Sequence, residues 1–136
     1  MVYAAIMGHG VVGSGVAEIL IKHPDRIKEH IKDELEVKYI LDLRDFPQLD
    51  YSDKFIKDFN TILNDPEIKI VAEAMGGTEP AYSFEKALLK AGKSVVTSNK
   101  ELVAAKGAEL LAIAAENNVN FLFEASVGGG IPILRP

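Results

Sequence analysis

The feature that most constrains the fold is a glycine-rich hexapeptide, Gly8-His9-Gly10-Val11-Val12-Gly13, directly after an apolar run from Val2 to Met7. The residues that follow it repeat apolar side chains at helical spacing. A strand ending at Gly8 must turn sharply, Gly10 lets backbone N–H groups approach a phosphate, and Gly13 lets the helix pack closely on the sheet. This order predicts a βα turn that holds the diphosphate of a dinucleotide at a helix N-terminus. A glycine-rich turn that only packs is the alternative.

Composition narrows the class of protein further. The chain has 136 residues, of which 48% are hydrophobic, so we expect one compact domain with a core. Its net charge of −5 does not indicate a nucleic acid or an anionic membrane as partner. It has no cysteine, which excludes a disulfide framework and a thiolate nucleophile. No apolar run approaches ~18 residues and the start lacks a basic signal, so we expect a cytoplasmic protein.

Strands and helices alternate along the chain, which is typical of a parallel sheet wrapped by helices. The pattern predicts strands at 2–7, 36–41, 68–74, 94–97 and 119–124. It predicts helices at 11–22, 80–91 and 102–116, shorter ones after Asp25 and over 59–63, and a loop over 44–53. The expected fold is an α/β domain of Rossmann type, doubly wound, with a mainly parallel sheet and helices on both faces.

In an open parallel sheet, ligands bind beyond the carboxyl ends of the strands. Asp42 follows the second strand and could accept hydrogen bonds from an adenosine ribose, whereas Arg44 could pair with a 2′-phosphate. Residues two apart on an extended chain share a face, so both can reach one ribose, and the choice between NAD and NADP stays open. An exposed ion pair without a ligand is the alternative.

Three later strand ends also carry candidate residues. Gly76-Gly77 would let the backbone lie along a ribose or nicotinamide, although a plain turn would also need glycine. Ser98-Asn99-Lys100 places two hydrogen-bonding groups and a cation near the expected nicotinamide, with a solvated lysine as the alternative. The stretch from Glu124 to Pro132 offers carbonyls beside a carboxylate, the hard oxygen set that an alkali or alkaline-earth cation prefers, or else a flexible exit.

Four of these segments in order resemble the N-terminal part of homoserine dehydrogenase, and the resemblance covers essentially all 136 residues. The segments are the glycine hexapeptide, Glu73-Ala74-Met75-Gly76-Gly77, Val96-Thr97-Ser98-Asn99-Lys100 and Glu124-Ala125-Ser126-Val127-Gly128-Gly129-Gly130-Ile131-Pro132. The resemblance implies that the hexapeptide and Gly76-Gly77 hold NAD or NADP, and that Ser98, Asn99 and Lys100 line the nicotinamide and substrate end. It gives Lys100 contact with both cofactor and substrate. It also implies a sodium ion held by Glu124 and the carbonyls of Val127, Gly129 and Ile131.

The reaction implied by the resemblance is the NAD(P)-dependent interconversion of L-homoserine and L-aspartate 4-semialdehyde, in threonine and methionine biosynthesis. In that family the main proton-transfer lysine, the substrate-binding acids and the dimer contacts belong to a later α/β domain that nothing in this sequence matches. Residues 1–136 would then be the NAD(P)-binding domain, with 124–136 starting the connection to the rest of a homodimeric enzyme. Such a fragment would bind the cofactor but be inactive alone.

Two other classes of protein fit parts of the pattern. One is a free-standing module in which the occupied dinucleotide site changes association with a protein partner. The other is a different nicotinamide-linked oxidoreductase that acts on another small aldehyde or alcohol. Lys100 and the stretch from Glu124 to Pro132 argue against the first class, which has little use for either, and Asn99-Lys100 with the same stretch argues against the second.

Overall fold

The computed structural model describes residues 2–22 and 35–123. Its strands are β1 (Val2–Met7), β2 (Leu35–Leu41), β3 (Phe55–Ile56), β4 (Ile68–Glu73), β5 (Ser94–Thr97) and β6 (Phe121–Phe123). Its helices are α1 (Val11–Lys22), α2 (Phe59–Leu63), α3 (Ala81–Lys90) and α4 (Lys100–Glu116), with a 3-10 turn at Ser52–Lys54. None of the helices in these two ranges is long and apolar enough to cross a membrane.

All strand pairings in the sheet are parallel, and the strand order is β3-β2-β1-β4-β5-β6. The chain therefore starts at the centre of the sheet, builds outward on one side, and crosses back to build on the other. The connections that follow β1 and β4 consequently leave in opposite directions. This leaves a crevice at the carboxyl ends of those two strands, where open α/β sheets bind their ligands.

Each face of the sheet has its own hydrophobic core. Ile6 of β1 packs with Val16 and Leu20 of α1 on one face. Its sequence neighbours Ala5 and Met7 belong to the core on the other face, which also includes residues of α3 and α4. Because successive side chains of a strand point to opposite faces, both cores draw on the same strand. The doubly wound α/β fold with helices on both faces is confirmed.

The structure differs from the sequence prediction at three places. The sequence predicted a loop over 44–53 with no strand after it, whereas the structure has a 3-10 turn and then β3, which pairs Phe55 with Ile40 and Ile56 with Leu41. The final strand begins at Phe121 rather than at residue 119. The α4 helix begins at Lys100 rather than at residue 102, because the Asn99 side chain caps it. The helix predicted after Asp25 lies outside the described residues.

Candidate functional site

The glycines of the hexapeptide serve two different purposes. A Cβ atom at Gly13 would lie 1.9 Å from the Gly8 carbonyl oxygen, and one at Gly8 would lie 2.9 Å from the Ala74 carbonyl oxygen. Gly8 also has a φ of +98°, which side chains rarely adopt. A Cβ atom at Gly10, in contrast, would meet nothing within 4 Å. Gly8 and Gly13 are therefore required by packing within the chain, whereas the space beside Gly10 is open.

That open space lies at the N-terminus of α1. The first N–H groups of a helix have no partner within the helix and carry its positive end, so they favour an anion. Beside them Val11 is 92% exposed and Val12 is 40% exposed. Backbone donors flanked by exposed apolar side chains fit a ligand with a charged diphosphate and apolar neighbours, so the residues present fit a dinucleotide.

Asp42 and Arg44 form a two-pronged ion pair at the end of β2. The Arg44 Nη2 and Nε atoms donate to the two carboxylate oxygens of Asp42 at 2.9 and 3.0 Å. The Asp42 side chain is 8% exposed, whereas that of Arg44 is 63% exposed. Arg44 holds the pKa of Asp42 well below its usual range, even though burial opposes this effect. The backbone N–H of His9 donates to Asp42 at 2.9 Å, so the pair also braces the glycine loop.

His9 connects the glycine loop to the segment before β3. Its Nε2 atom lies 2.9 Å from the Tyr51 hydroxyl, and its ring packs edge-on against Phe46 and Phe55. Burial lowers the pKa of His9, although the nearby Asp42 carboxylate opposes that shift. Sequence reasoning did not identify His9 because it occupies a variable position of the motif, and its partner Tyr51 lies in a stretch predicted only as loop.

A cavity of about 440 Å³ opens between the ends of β1, β2 and β4. It is lined by Gly8, His9, Gly10, Leu41, Asp42, Leu43, Arg44, Lys57, Phe59, Ala74, Met75, Pro80 and Phe84. The rings of Phe59 and Phe84 stack 4.0 Å apart, and the Lys57 Nζ atom donates to the Leu43 carbonyl at 2.7 Å. Apolar walls with a few polar groups at the rim are typical of a nucleoside pocket. Sequence reasoning missed Lys57, Pro80 and Phe84, since only the strand order brings them together.

The loop after β4 is held by the last residue of that strand. Oε2 of Glu73 accepts hydrogen bonds from the backbone N–H groups of Met75 at 2.7 Å and Gly76 at 3.4 Å. Gly76 and Gly77 have φ angles of +79° and +74° and are exposed. Glycine is required here for the left-handed turn, and the exposed backbone faces the crevice end of the sheet.

The residues after β5 complete the crevice edge. The Asn99 side chain donates to the Gly77 carbonyl at 2.6 Å and accepts from the Leu102 N–H at 3.0 Å, and it is 5% exposed. Asn99 therefore links two loops, and a ligand would reach its neighbours more readily than Asn99 itself. Ser98 lines a small cavity of about 50 Å³, and Lys100 is the exposed first residue of α4.

The fold brings the predicted dinucleotide residues to one edge of the sheet, namely Gly8, Gly10, Val11, Val12, Gly13, Asp42, Arg44, Gly76, Gly77, Ser98, Asn99 and Lys100. The predicted cation ligands Glu124, Val127, Gly129 and Ile131 lie outside the described residues. Within 2–22 and 35–123, no group of three or more histidine or carboxylate side chains is placed to hold a metal ion.

Comparisons with known proteins agree with this geometry. Residues 8–124 match the family model described as the NAD-binding domain of homoserine dehydrogenase. The homoserine dehydrogenases of Lactococcus lactis and Bacillus subtilis are 39% and 38% identical to this chain, each over 96% of it. The match covers 32% and 31% of the lengths of those two proteins, so this chain spans about a third of them.

Solved structures give the same result. A crystal structure of S. aureus homoserine dehydrogenase at pH 8.5 matches with a TM-score of 0.82 and 37% identity, over 92% of this chain and 32% of that one. A hyperthermophilic archaeal homoserine dehydrogenase in complex with NADPH matches with a TM-score of 0.73 and 28% identity, over 92% and 44%. Fold, glycine loop and sequence identity along nearly the whole length thus agree, and this chain belongs to the family of the homoserine dehydrogenase NAD-binding domain.

Proposed function

We propose that this chain is the cofactor-binding part of an NAD(P)-dependent enzyme that interconverts L-homoserine and L-aspartate 4-semialdehyde, a step of threonine and methionine biosynthesis. The observation that carries the proposal is the open space beside Gly10 at the N-terminus of α1. A glycine whose Cβ would touch nothing in its own chain, between two that packing requires, is expected where a ligand must approach the backbone.

The diphosphate would lie on Gly10, Val11, Val12 and Gly13, where it satisfies the helix N–H groups. The adenosine would occupy the cavity of about 440 Å³ beside Asp42. Its apolar walls suit the base, and the polar rim suits the ribose.

Arg44 supports the binding of NADP as well as NAD. Its Nε and Nη2 atoms face Asp42, while the side chain remains 63% exposed. A 2′-phosphate can therefore approach the outer side of the guanidinium, which is the geometry that favours charge-assisted hydrogen bonds. NAD lacks this phosphate and would depend on Asp42 and the shared contacts instead.

The nicotinamide half would lie along Gly76 and Gly77 toward Ser98, Asn99 and Lys100. When bound, the nicotinamide supplies or accepts the hydride. Lys100 is the catalytic residue we propose within this chain, because its exposed ammonium can donate a hydrogen bond to the oxygen of a substrate at the end of the crevice. Asn99 would act on this geometry indirectly, through its bond to Gly77.

The remaining parts of the proposal concern the whole enzyme. We propose that the substrate-binding acids and the main proton-transfer group belong to the rest of a homodimeric cytoplasmic protein, and that this chain alone binds cofactor without turnover. Steady homoserine-dependent reduction of NADP by the isolated chain would contradict this. The sodium ion at Glu124, Val127, Gly129 and Ile131 stays a prediction.

A glycine pair tests the proposal. The purified chain should bind NADPH, and Gly10→Ala should weaken that binding about tenfold or more, because the added methyl group fills the space that the diphosphate needs. Its melting temperature should not fall, since the methyl group meets no atom of the chain.

Gly15→Ala is the matched control for this experiment. Gly15 lies on α1 and its Cβ would also meet nothing within 4 Å, so the substitution should leave NADPH binding unchanged and stabilise the helix by up to about 1 kcal/mol. Unaltered NADPH binding by Gly10→Ala would mean that the phosphates bind elsewhere. Fluorescence titration and thermal unfolding measure the two quantities.

A further inference from the structure

The buried Glu73 carboxylate connects the loop after β4 with the end of β5, two segments that border the crevice. Glu73 is 1% exposed at the end of β4, where it lies in register with Met7 of β1 and Thr97 of β5. Its Oε2 atom accepts from the Met75 and Gly76 N–H groups, and its Oε1 atom accepts from the Thr97 hydroxyl at 2.8 Å. One side chain therefore holds the loop after β4 and the exit of β5 together.

The network then returns to the same loop. Thr97 accepts a hydrogen bond from the Asn99 N–H at 3.0 Å, and the Asn99 side chain donates to the Gly77 carbonyl at 2.6 Å. Gly76 and Gly77 are both in the left-handed region, where glycine has the widest conformational choice. Hydrogen bonds from the buried Glu73 and Asn99 side chains thus limit the backbone conformations of this loop, which its own glycines would leave flexible.

A second carboxyl group lies buried in the same core. Glu85 of α3 is 0% exposed, and its two carboxylate oxygens accept no hydrogen bond within the described part of the chain. No Lys or Arg among the described residues pairs with Glu73 or Glu85. Burial raises the pKa of Glu85 to about 10, and a side-chain hydrogen bond to Glu73 and the charge of Glu73 act in the same direction.

The hydrogen bonds indicate which carboxyl group carries the proton. Glu73 accepts from three donors, which is the pattern of an ionised carboxylate, whereas Glu85 accepts from none. Two charges in this apolar core would repel each other with little solvent screening. A single negative charge on Glu73, with the proton on Glu85, avoids that repulsion.

We propose that Glu73 is a positioning residue for the nicotinamide half of the dinucleotide site, and that Glu85 keeps this pair of carboxyl groups at one negative charge by retaining its proton. Glu73 does so by holding Met75 and Gly76 directly and Asn99 through Thr97. The inference rests on the proposed function, because the loop is a binding element only if a dinucleotide occupies the crevice.

The test compares a whole dinucleotide with its adenosine half. In Glu73→Gln the amide oxygen can still accept from the Met75 and Gly76 N–H groups while the NH2 group donates to the Thr97 hydroxyl, but the negative charge is lost and the hydrogen bonds that anchor the loop after β4 are weaker. We expect the Kd for NADPH to rise about tenfold or more, while the Kd for 2′,5′-ADP stays within about twofold, since that ligand does not reach Gly77. An equal loss for both ligands would indicate general damage and would overturn the inference.

Two further variants keep the test decisive if Glu73→Gln does not fold. Thr97→Val removes one hydroxyl at nearly constant volume and should weaken NADPH about threefold or more without affecting 2′,5′-ADP. Glu85→Gln keeps a neutral polar side chain and should leave both Kd values within about twofold. A Glu85→Gln loss that exceeds the Thr97→Val loss would show that the charge lies on Glu85 instead.

Glu116→Gln is the control for exchanging a carboxylate for an amide, because Glu116 is an exposed residue at the end of α4. It should bind both ligands as the wild type does. If the wild type binds neither ligand, the proposed function fails. If the wild type binds both and Thr97→Val changes neither, only the role of Glu73 fails.

Discussion

The two sides of the crevice each place a buried carboxylate at the end of a strand, and they accommodate its charge in different ways. Asp42, on the side proposed for the adenosine, is paired with a guanidinium that is 63% exposed. Glu73, on the other side, has no cation among the described residues and lies in the same core as Glu85, whose raised pKa keeps it protonated. The exposed Arg44 guanidinium can also contact a ligand, whereas the buried proton on Glu85 cannot. The first side therefore suits recognition, and the second suits fixed geometry.

The same contrast extends to how the two sides respond to pH. Burial lowers the pKa of His9 on the adenosine side and raises the pKa of Glu85 on the other side. In both cases the neutral form is favoured, but a neutral histidine is unprotonated and a neutral glutamic acid is protonated. Acid should therefore destabilise the folded state by protonating His9, and alkali should destabilise it by deprotonating Glu85.

The largest expected effect is on stability at Glu85. Its folded pKa of about 10 lies above the ordinary value of 4.5, so between these values the folded chain holds a proton that the unfolded chain releases. Wild-type stability should thus fall as pH rises, by up to about 1.4 kcal/mol per pH unit from this group. Relative to Glu85→Gln, the wild type should lose about 3 kcal/mol between pH 5 and pH 7 in urea unfolding. A pH-independent difference would contradict a protonated Glu85.

The next effect is on coenzyme preference at Arg44. Arg44→Ala removes the exposed guanidinium, and the Kd for NADPH should rise about tenfold or more, because charge-assisted hydrogen bonds contribute about 1.5–3 kcal/mol each. The Kd for NADH should change by about threefold at most, since NADH has no 2′-phosphate. Arg44→Lys keeps the charge but not the two-pronged geometry, so its Kd for NADPH should lie between those of the wild type and Arg44→Ala. Equal losses for both coenzymes would place the phosphate away from Arg44.

The smallest effect is expected at His9. His9→Phe keeps the ring against Phe46 and Phe55 but loses the bond to Tyr51, which should cost about 1 kcal/mol at pH 8. Because the folded pKa of His9 is lowered, the unfolded chain takes up its proton first, and the wild type should lose stability as pH falls through the ordinary value of 6.5.

Tyr51→Phe provides the matched comparison for that prediction. It removes the same hydrogen bond but leaves the imidazole, so the acid-side loss of stability should persist in Tyr51→Phe and disappear in His9→Phe. If both variants still lose stability as the pH falls, a group other than His9 is responsible for that loss. Denaturant unfolding at pH 5, 6.5 and 8 measures it.

Much of the fold could be predicted because its signals are local. Strands β1 and β5 are buried on both faces over most of their length and read as short apolar runs, which is how parallel strands appear in sequence. Asn99 carried a usable signal as well, since an N-cap residue two places before Glu101 predicts a helix start there. The start at residue 102 was wrong because helical spacing alone was considered.

The two-residue strand β3 could not be predicted in the same way. Phe55 and Ile56 are too few to show a period, and they form a strand only because Ile40 and Leu41 lie beside them. The same dependence applies to the cavity proposed for the adenosine, where Lys57, Pro80 and Phe84 come from separate parts of the chain. Such contacts follow from the strand order rather than from neighbouring residues.

The sequence by itself determined the doubly wound fold and the edge of the sheet that carries the candidate site, because turn chemistry at Gly8 and Gly13 and the alternation of strand and helix act over a few residues. Only the tertiary structure decided which charges are paired and which carboxyl group keeps a proton. Asp42 meets His9 from 33 residues away, and Thr97 meets Glu73 from 24 residues away. Protonation depends on burial and on such distant neighbours, and both arise only when the strands assemble.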